Sequence, residues 1–159
     1  MTPALRQRFD DLLHDVIDEL PEHTRAAMEE LSIIVDDAPE KKLADELARD
    51  LDLTPEGEES GDVMGLHTGQ PITERGTGDT GSLPTVIHLF RESIVEHALE
   101  FRGSVDPLPE GTPKPTWRDW GNLPTDDEEV YEEIRITLLH EIGHHFGLDE
   151  DDLDRLGYA

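Results

Sequence analysis

The sequence contains no cysteine, which excludes disulfide bonds and every metal site built on thiolates. No apolar run approaches the length of about 20 residues that a membrane-spanning helix needs. Residues 1–20 also lack the basic region followed by an apolar core that marks a secretory signal peptide. We therefore expect a soluble, cytoplasmic protein that does not bind membranes.

Basic residues are also scarce. Only 13 lysines and arginines accompany 39 acidic residues, so the formal net charge is −26. A polyanion of this kind repels the phosphate backbone, which argues against nucleic-acid binding. At 159 residues the chain is long enough for one domain with a hydrophobic core, and we predict a single domain over residues 1–159.

One segment near the C-terminus carries candidate chemistry. It contains the pattern H-E-x-x-H at His140, Glu141 and His144. Residues four apart on an α-helix lie about 40° apart around the axis and about 6 Å apart along it, so both imidazoles can bind one Zn²⁺ from the same face. Glu141 lies beside the pair, where it can take a proton from a metal-bound water without being a ligand. His145 points about 100° away, and we expect it to support the site or to lie on the surface.

A tetrahedral catalytic zinc needs a third protein ligand, with water in the fourth position. Gly147 can adopt the left-handed conformation that ends a helix, and a turn there would bring the acidic run at residues 149–152 under the metal. Glu150 completes the pattern H-E-x-x-H-x-x-G-x-x-E, at the position where metzincin proteases place their third histidine. We predict Glu150 as the third ligand, with the three aspartates of the same run as alternatives.

The rest of the chain alternates between helical and extended patterns. We predict an α+β fold, with a small mixed sheet and helices on one face. The predicted elements are a helix over residues 3–20, a strand over 31–36, a polar helix over 39–53, a hairpin over 63–75, a strand over 85–90, a helix over 91–102, the motif helix over 125–146 and a short helix over about 151–156.

The motif helix has a recognisable start and an apolar face. Thr125 is predicted as its N-cap, with acidic residues in the first turn. The tryptophans of the preceding loop, Trp117 and Trp120, are expected to anchor that loop on the body of the protein. The apolar residues expected to hold the helix in the core are Ile134, Leu138, Leu139, Ile142 and Phe146.

Several segments resemble the small bacterial zincin-like metallopeptidases, sometimes called minimal metalloproteases. The resemblance implies a zincin fold, a catalytic zinc and peptide hydrolysis with Glu141 as general base. Members of that family carry aspartate where this chain has Glu150, and they have shorter segments in place of residues 41–62 and 103–124. The segments that carry the resemblance are residues 32–39, 65–75, 83–91, 140–147 and 153–158.

The pattern favours a zinc-dependent endopeptidase acting on a peptide or protein substrate. An extended peptide would pair with an exposed strand edge, for which residues 85–90 are the candidate. A non-catalytic zinc-binding regulatory or interaction protein is the alternative, although such a site does not need an unligated carboxylate such as Glu141. A metal-dependent ribonuclease ranks last because of the net charge of −26. The sequence predicts no oligomeric state.

Overall fold

The computed structural model describes residues 1–29, 31–39, 63–68, 85–101 and 111–157. The predicted polar helix after residue 39 and the second strand of the predicted hairpin lie outside these residues. The helices are α1 (Pro3–Glu19), α2 (Glu22–Met28), α3 (Arg91–Glu100), α4 (Asp126–His145) and α5 (Glu150–Leu156). The strands are β1 (Leu31–Asp36), β2 (Gly65–Thr68) and β3 (Thr85–Phe90).

The three described strands form a mixed sheet in the order β1-β3-β2. β1 is parallel to β3, and β2 is antiparallel to it. The α+β class with a small mixed sheet is therefore confirmed. The prediction that residues 85–90 form an exposed edge is wrong, because β3 has a partner on each side. Its buried side chains explain this position, since Ile87 and Leu89 are both 0% exposed and a central strand keeps such residues from water.

One face of the sheet packs against the helices. In β1, the side chains of Ser32, Ile34 and Asp36 are exposed, and the alternate residues are partly buried. Buried side chains of β3, α1, α3 and α4 complete one hydrophobic core. Its members are Phe9, Leu13, Val16, Leu20, Ile87, Leu89, Ile94, Val95, Ala98, Leu99, Trp120, Val130, Ile134, Leu138 and Ile142.

Helix α1 has clear signals at both ends. The hydroxyl of Thr2 accepts a hydrogen bond from the backbone N–H of Leu5, and proline occupies the first turn, where its missing N–H costs nothing. Leu20 is extended (ψ 146°) because the following Pro21 disfavours helical backbone before it. Phe9, the most buried of its core residues, is 0% exposed.

Ion pairs tie α1 to the end of β1 and the start of α3. Arg6 donates from Nε to a carboxylate oxygen of Asp37 at 2.9 Å, and Arg91 donates from Nη2 to Asp10 at 2.8 Å. Burial raises the pKa of Asp37, but hydrogen bonds from Arg6 and the amino group of Met1 outweigh it and lower that pKa to about 2.

The loop before α4 is anchored by both tryptophans, as predicted. Trp120 is 5% exposed, and its indole Nε1 donates to a carboxylate oxygen of Asp127 at 3.0 Å. The backbone N–H of Trp117 donates to Glu96 of α3 at 3.1 Å. The loop is thus held against α3 and α4. Across the described ranges, every helix is too short or too polar to cross a lipid bilayer.

Candidate metal centre

Helix α4 carries the H-E-x-x-H pattern and begins differently from the prediction. Thr125 occupies the N-cap position, but its side chain makes no capping hydrogen bond. The neighbouring Asp126, which is 0% exposed, accepts instead from the backbone N–H groups of Gly121 (2.7 Å) and Leu123 (3.1 Å). This carboxylate therefore organises the turn that leads into α4.

The apolar face of α4 matches the predicted core residues except at its end. Ile134, Leu138 and Ile142 are buried, and Leu139 is partly buried. Phe146 was expected in the core, but it is 40% exposed. It is the C-cap, one residue past the last helical turn, so the helical spacing no longer directs its ring inward.

His140 and His144 converge as a metal-binding pair. Their Nε2 atoms lie 3.0 Å apart, and their ring planes are nearly perpendicular at 86°. Two nitrogens bound to one tetrahedral zinc at about 2.0–2.1 Å lie about 3.3 Å apart. The pair therefore fits a zinc ion with a change of only a few tenths of an ångström.

A backbone carbonyl orients His144. Its Nδ1 lies 3.2 Å from the carbonyl oxygen of Leu148, so the Nδ1–H can donate and leave the Nε2 lone pair for a metal. Metal-ligating histidines commonly make a bond of this kind, which fixes both the tautomer and the ring orientation.

The chain reverses at Gly147, as the sequence predicts. Gly147 has φ +79°, and the backbone N–H of Leu148 donates to the carbonyl of Gly143 at 3.1 Å. Together with the bond from the Gly147 N–H to the His144 carbonyl, at 3.0 Å, this is a Schellman motif. The turn that closes α4 is thus the same turn that supplies the Leu148 carbonyl to His144.

Close packing then fixes the direction of α5. Leu153 is 0% exposed, and a Cβ atom placed on Gly143 would lie 2.4 Å from its Cδ2 atom. Only glycine at position 143 lets Leu153 approach α4 this closely. The segment of residues 149–152 therefore lies across the end of the motif helix.

The carboxylates of residues 149–152 make different contacts. Asp149 accepts from the backbone N–H of Asp152 at 2.9 Å and so caps α5, while the Asp152 carboxylate pairs with Arg155 at 2.6 Å. Glu150 is the first residue of α5, and its side chain lies outside the described atoms. Among the side chains that the structure describes, no three metal-binding groups meet, so the assignment of Glu150 stays a prediction.

Glu141 lies between α4 and the sheet. Its side chain is 6% exposed. A Cβ atom on Gly65, the first residue of β2, would lie 2.7 Å from the Glu141 Oε1 atom. The absence of a side chain at Gly65 thus creates the space that Glu141 occupies, and it brings the carboxylate against the backbone of β2.

His145 belongs to the interior and not to the surface. It is 0% exposed, and its ring centroid lies 5.9 Å from that of His67 in β2. Residues two apart in a strand face the same side, so His67 and Gly65 both face α4. Between the alternatives in the prediction, burial therefore excludes a surface position for His145.

This arrangement of a histidine pair, an adjacent buried glutamate and a tight reversal after the helix agrees with the comparison with known families. A family model described as zincin-like metallopeptidase matches residues 28–106 and 114–158, which is most of the chain. The chain belongs to the zincin-like metallopeptidase family. A search of the curated proteins finds no match.

The zincin-like match contains every residue of the candidate site but begins after most of α2. Helix α1, which supplies Phe9 to the core, lies before it. The predicted family resemblance and zincin-like fold class are thus confirmed, and α1 is a further part of this chain's core.

Sequence reasoning missed three contributors to the site. Gly65 and Gly143 act by close approach, and Leu148 acts through its carbonyl. Gly143 carried one usable signal, because an isolated glycine inside a helical pattern costs about 1 kcal/mol relative to alanine and suggests a packing reason. No sequence signal identifies the carbonyl of Leu148.

Proposed function

We propose that this protein is a zinc-dependent endopeptidase in which Glu141 is the general base. One observation carries the proposal. The two histidine Nε2 atoms converge to 3.0 Å, and the carboxylate between them in sequence is buried against a strand of the sheet. This supports a metal site, a general base and a backbone to which a peptide could bind within one small region.

The histidine pair fits a zinc ion. His140 and His144 would hold the ion, and Glu150 would complete the protein ligands. Zinc, when bound, supplies a Lewis acid that lowers the pKa of a coordinated water and polarises a peptide carbonyl.

Glu141 would move the protons of the reaction. It would take a proton from the attacking water and pass it to the leaving amine nitrogen, acting as base and then as acid. Its burial supports this role, because a largely enclosed carboxylate has few positions to adopt and is held ready for transfer.

The peptide substrate would lie along β2. In the described part of the chain, which omits the second strand of the predicted hairpin, β2 has a strand partner on one side only, and it begins at the residue that lies against Glu141. A substrate strand could pair main chain to main chain with this edge, which gives affinity with little dependence on sequence. β2 replaces β3 as the candidate edge.

The experiment compares wild type with Glu141→Ala on a broad peptide pool. We expect zinc content to be equal in both proteins and hydrolysis to fall by a factor on the order of 10² to 10⁴ in the variant, because a positioned general base contributes about that much. Hydrolysis that persists in Glu141→Ala at equal zinc content contradicts its role. Zinc-loaded wild type that cleaves no peptide would favour the non-catalytic zinc-binding alternative.

The third ligand is tested by zinc affinity in competition with a chelator. We expect Glu150→Ala to weaken zinc binding more than Asp149→Ala or Asp152→Ala, because the two aspartates already cap α5 and pair with Arg155. His140→Ala gives the reference for loss of a ligand. Wild-type affinity in Glu150→Ala would place the third ligand elsewhere.

A further inference from the structure

Helix α4 buries the hydroxyl group of Thr137. This residue is 5% exposed, and within the described part of the chain its hydroxyl oxygen has no hydrogen-bond partner. A threonine inside a helix can donate its hydroxyl to the carbonyl three or four residues earlier, and Thr137 does not do so. Because a buried hydroxyl without a partner costs free energy, the packing of the helix does not explain why this group is present.

Around the helix axis, Thr137 lies between the metal-binding pair and the proposed base. It precedes Glu141 by four residues, so the two lie about 40° apart, and it precedes His140 by three residues, about 60° to the other side. Helical side chains lean toward the N-terminus, so those of His140 and Glu141 both extend back over the turn that contains Thr137. The hydroxyl therefore lies on the turn beneath the candidate metal centre.

An apolar residue would suit this position of α4 equally well for packing. Ile134 and Leu138, within one turn of Thr137, are both 0% exposed and belong to the core. Valine is β-branched like threonine, has a similar helix propensity and would bring no polar group into the interior. A hydroxyl that destabilises the fold beside a candidate metal centre is the pattern expected of a functional group.

Glu141 is the group on which this hydroxyl can act. The Glu141 side chain is 6% exposed, and its Oε1 atom lies against Gly65 of β2. A glutamate side chain has three rotatable bonds, so its carboxylate can point toward the histidine pair or away from it. A hydrogen bond from the same face of α4 fixes this direction, and Thr137 lies on that face one turn before Glu141.

We propose that Thr137 is a positioning residue for Glu141. In the zinc-loaded protein its hydroxyl donates a hydrogen bond to the Glu141 carboxylate and holds that carboxylate toward the histidine pair. A neutral donor suits this task, because it orients the carboxylate without removing the negative charge that accepts the proton. The inference rests on the proposed peptidase function, in which Glu141 is the general base.

The first test compares Thr137→Val, which removes the hydroxyl, with Thr137→Ser, which keeps it. On a peptide that wild type cleaves, we expect Thr137→Val to lower kcat about tenfold at unchanged KM and zinc content, because a displaced catalytic group is costly. Thr137→Ser should retain most of the wild-type rate. A wild-type rate in Thr137→Val, or an equal loss in both variants, overturns the proposal.

Urea unfolding of the metal-free proteins separates this role from a structural one. Thr137→Val should raise the folding equilibrium constant about fivefold, because it removes a buried hydroxyl that lacks a partner among the described residues. A hydroxyl that held the fold together would give the reverse result. Lower stability in Thr137→Val than in wild type therefore counts against the proposal.

A double-mutant cycle tests the pair without hydrolysis. The probe is acetohydroxamate, a small zinc chelator with a proton that a neighbouring carboxylate can accept, and calorimetry measures its binding to the zinc-loaded proteins. Thr137→Val should weaken binding about tenfold when Glu141 is present and have no effect in the Glu141→Gln background. Additive effects overturn the role of Thr137 even if wild type cleaves peptides. A coupled pair in a protein that cleaves no peptide would refute the peptidase proposal alone.

Discussion

Two regions of the molecule are stabilised in different ways: the segment that contains the metal-binding motif and the turn after it, and the N-terminal helix α1. In the turn, from His140 to Leu153, each step depends on one particular atom, such as the Leu148 carbonyl beside His144 or the missing Cβ of Gly143. Helix α1 depends on a pattern, since apolar side chains at helical spacing enter the core and ion pairs hold its outer side.

The family match separates the same two regions. It covers the whole turn and begins only after α1. Yet Phe9 and Val16 of α1 are 0% and 1% exposed, as deeply buried as any residue of the matched region. Many different sequences provide a pattern of apolar residues that can fill a core, whereas few sequences can form a turn that depends on particular atoms. The start of the family match at residue 28 therefore does not mark a boundary of the core.

The largest effect tests whether α1 is integral to the fold. We expect Phe9→Ala to lower the free energy of unfolding by about 3–5 kcal/mol, because it removes a fully buried aromatic ring. His14→Ala on the exposed side of the same helix should change it by less than about 0.5 kcal/mol. Urea unfolding measures both. Equal stability of the two variants would show that α1 is dispensable.

The next effect concerns the contact between β2 and the proposed base. Gly65→Ala places a Cβ atom 2.7 Å from Glu141 Oε1, so the carboxylate must move. We expect peptide hydrolysis to fall by about 10-fold to 100-fold at unchanged zinc content, because small displacements of a catalytic group are costly. Ser32→Ala, at an exposed position of β1, is the control. Hydrolysis at the wild-type rate in Gly65→Ala would show that the contact between Gly65 and Glu141 does not matter for catalysis.

Local patterns in the sequence predicted the described strands and every described helix except α2, for which no bounds were predicted. Their predicted ends agree with the structure within two residues, since caps, prolines and apolar periods are local signals. The left-handed conformation of Gly147 was also predictable, because helices commonly end at a glycine, which adopts this conformation without the strain of a Cβ atom.

Features that depend on distant partners were not predictable. β3 is the central strand of the described sheet, but its own sequence does not reveal which strands pair with it. The contact of Gly65 with Glu141 joins residues far apart in the chain. Phe146 was misjudged because the helix ended one residue before it, and its apolar character then said nothing about its direction.

The third prediction concerns the packing of Gly143 against Leu153. Gly143→Ala should lower the free energy of unfolding by about 1–2 kcal/mol, because overpacking against Leu153 exceeds the gain of about 1 kcal/mol in helix propensity. Leu153→Ala alone should cost about 2–5 kcal/mol by leaving a cavity. In the double variant the alanine at position 143 should no longer destabilise. A strictly additive cycle would contradict the proposed contact.

The smallest effect concerns the ion pairs that hold α1, and it appears as a dependence on pH. The pKa of Asp37 is lowered from 3.8 to about 2 in the folded protein, so the folded state binds fewer protons than the unfolded state between these values. Its stabilising contribution is complete above pH 3.8 and is lost as the pH falls to about 2.

Asp37→Asn should therefore be less stable than wild type at neutral pH, and the difference should vanish as the medium is acidified through that window. We expect a change of roughly twofold to fivefold in the folding equilibrium constant at neutral pH, because Arg6 is half exposed and solvent screens the pair. Asp15→Asn, at an exposed position of α1, is the control. Urea unfolding at a series of pH values gives both curves. If the gap between Asp37→Asn and wild type persists unchanged below pH 2, the contribution is not the charge of Asp37, and α1 is held by its apolar face alone.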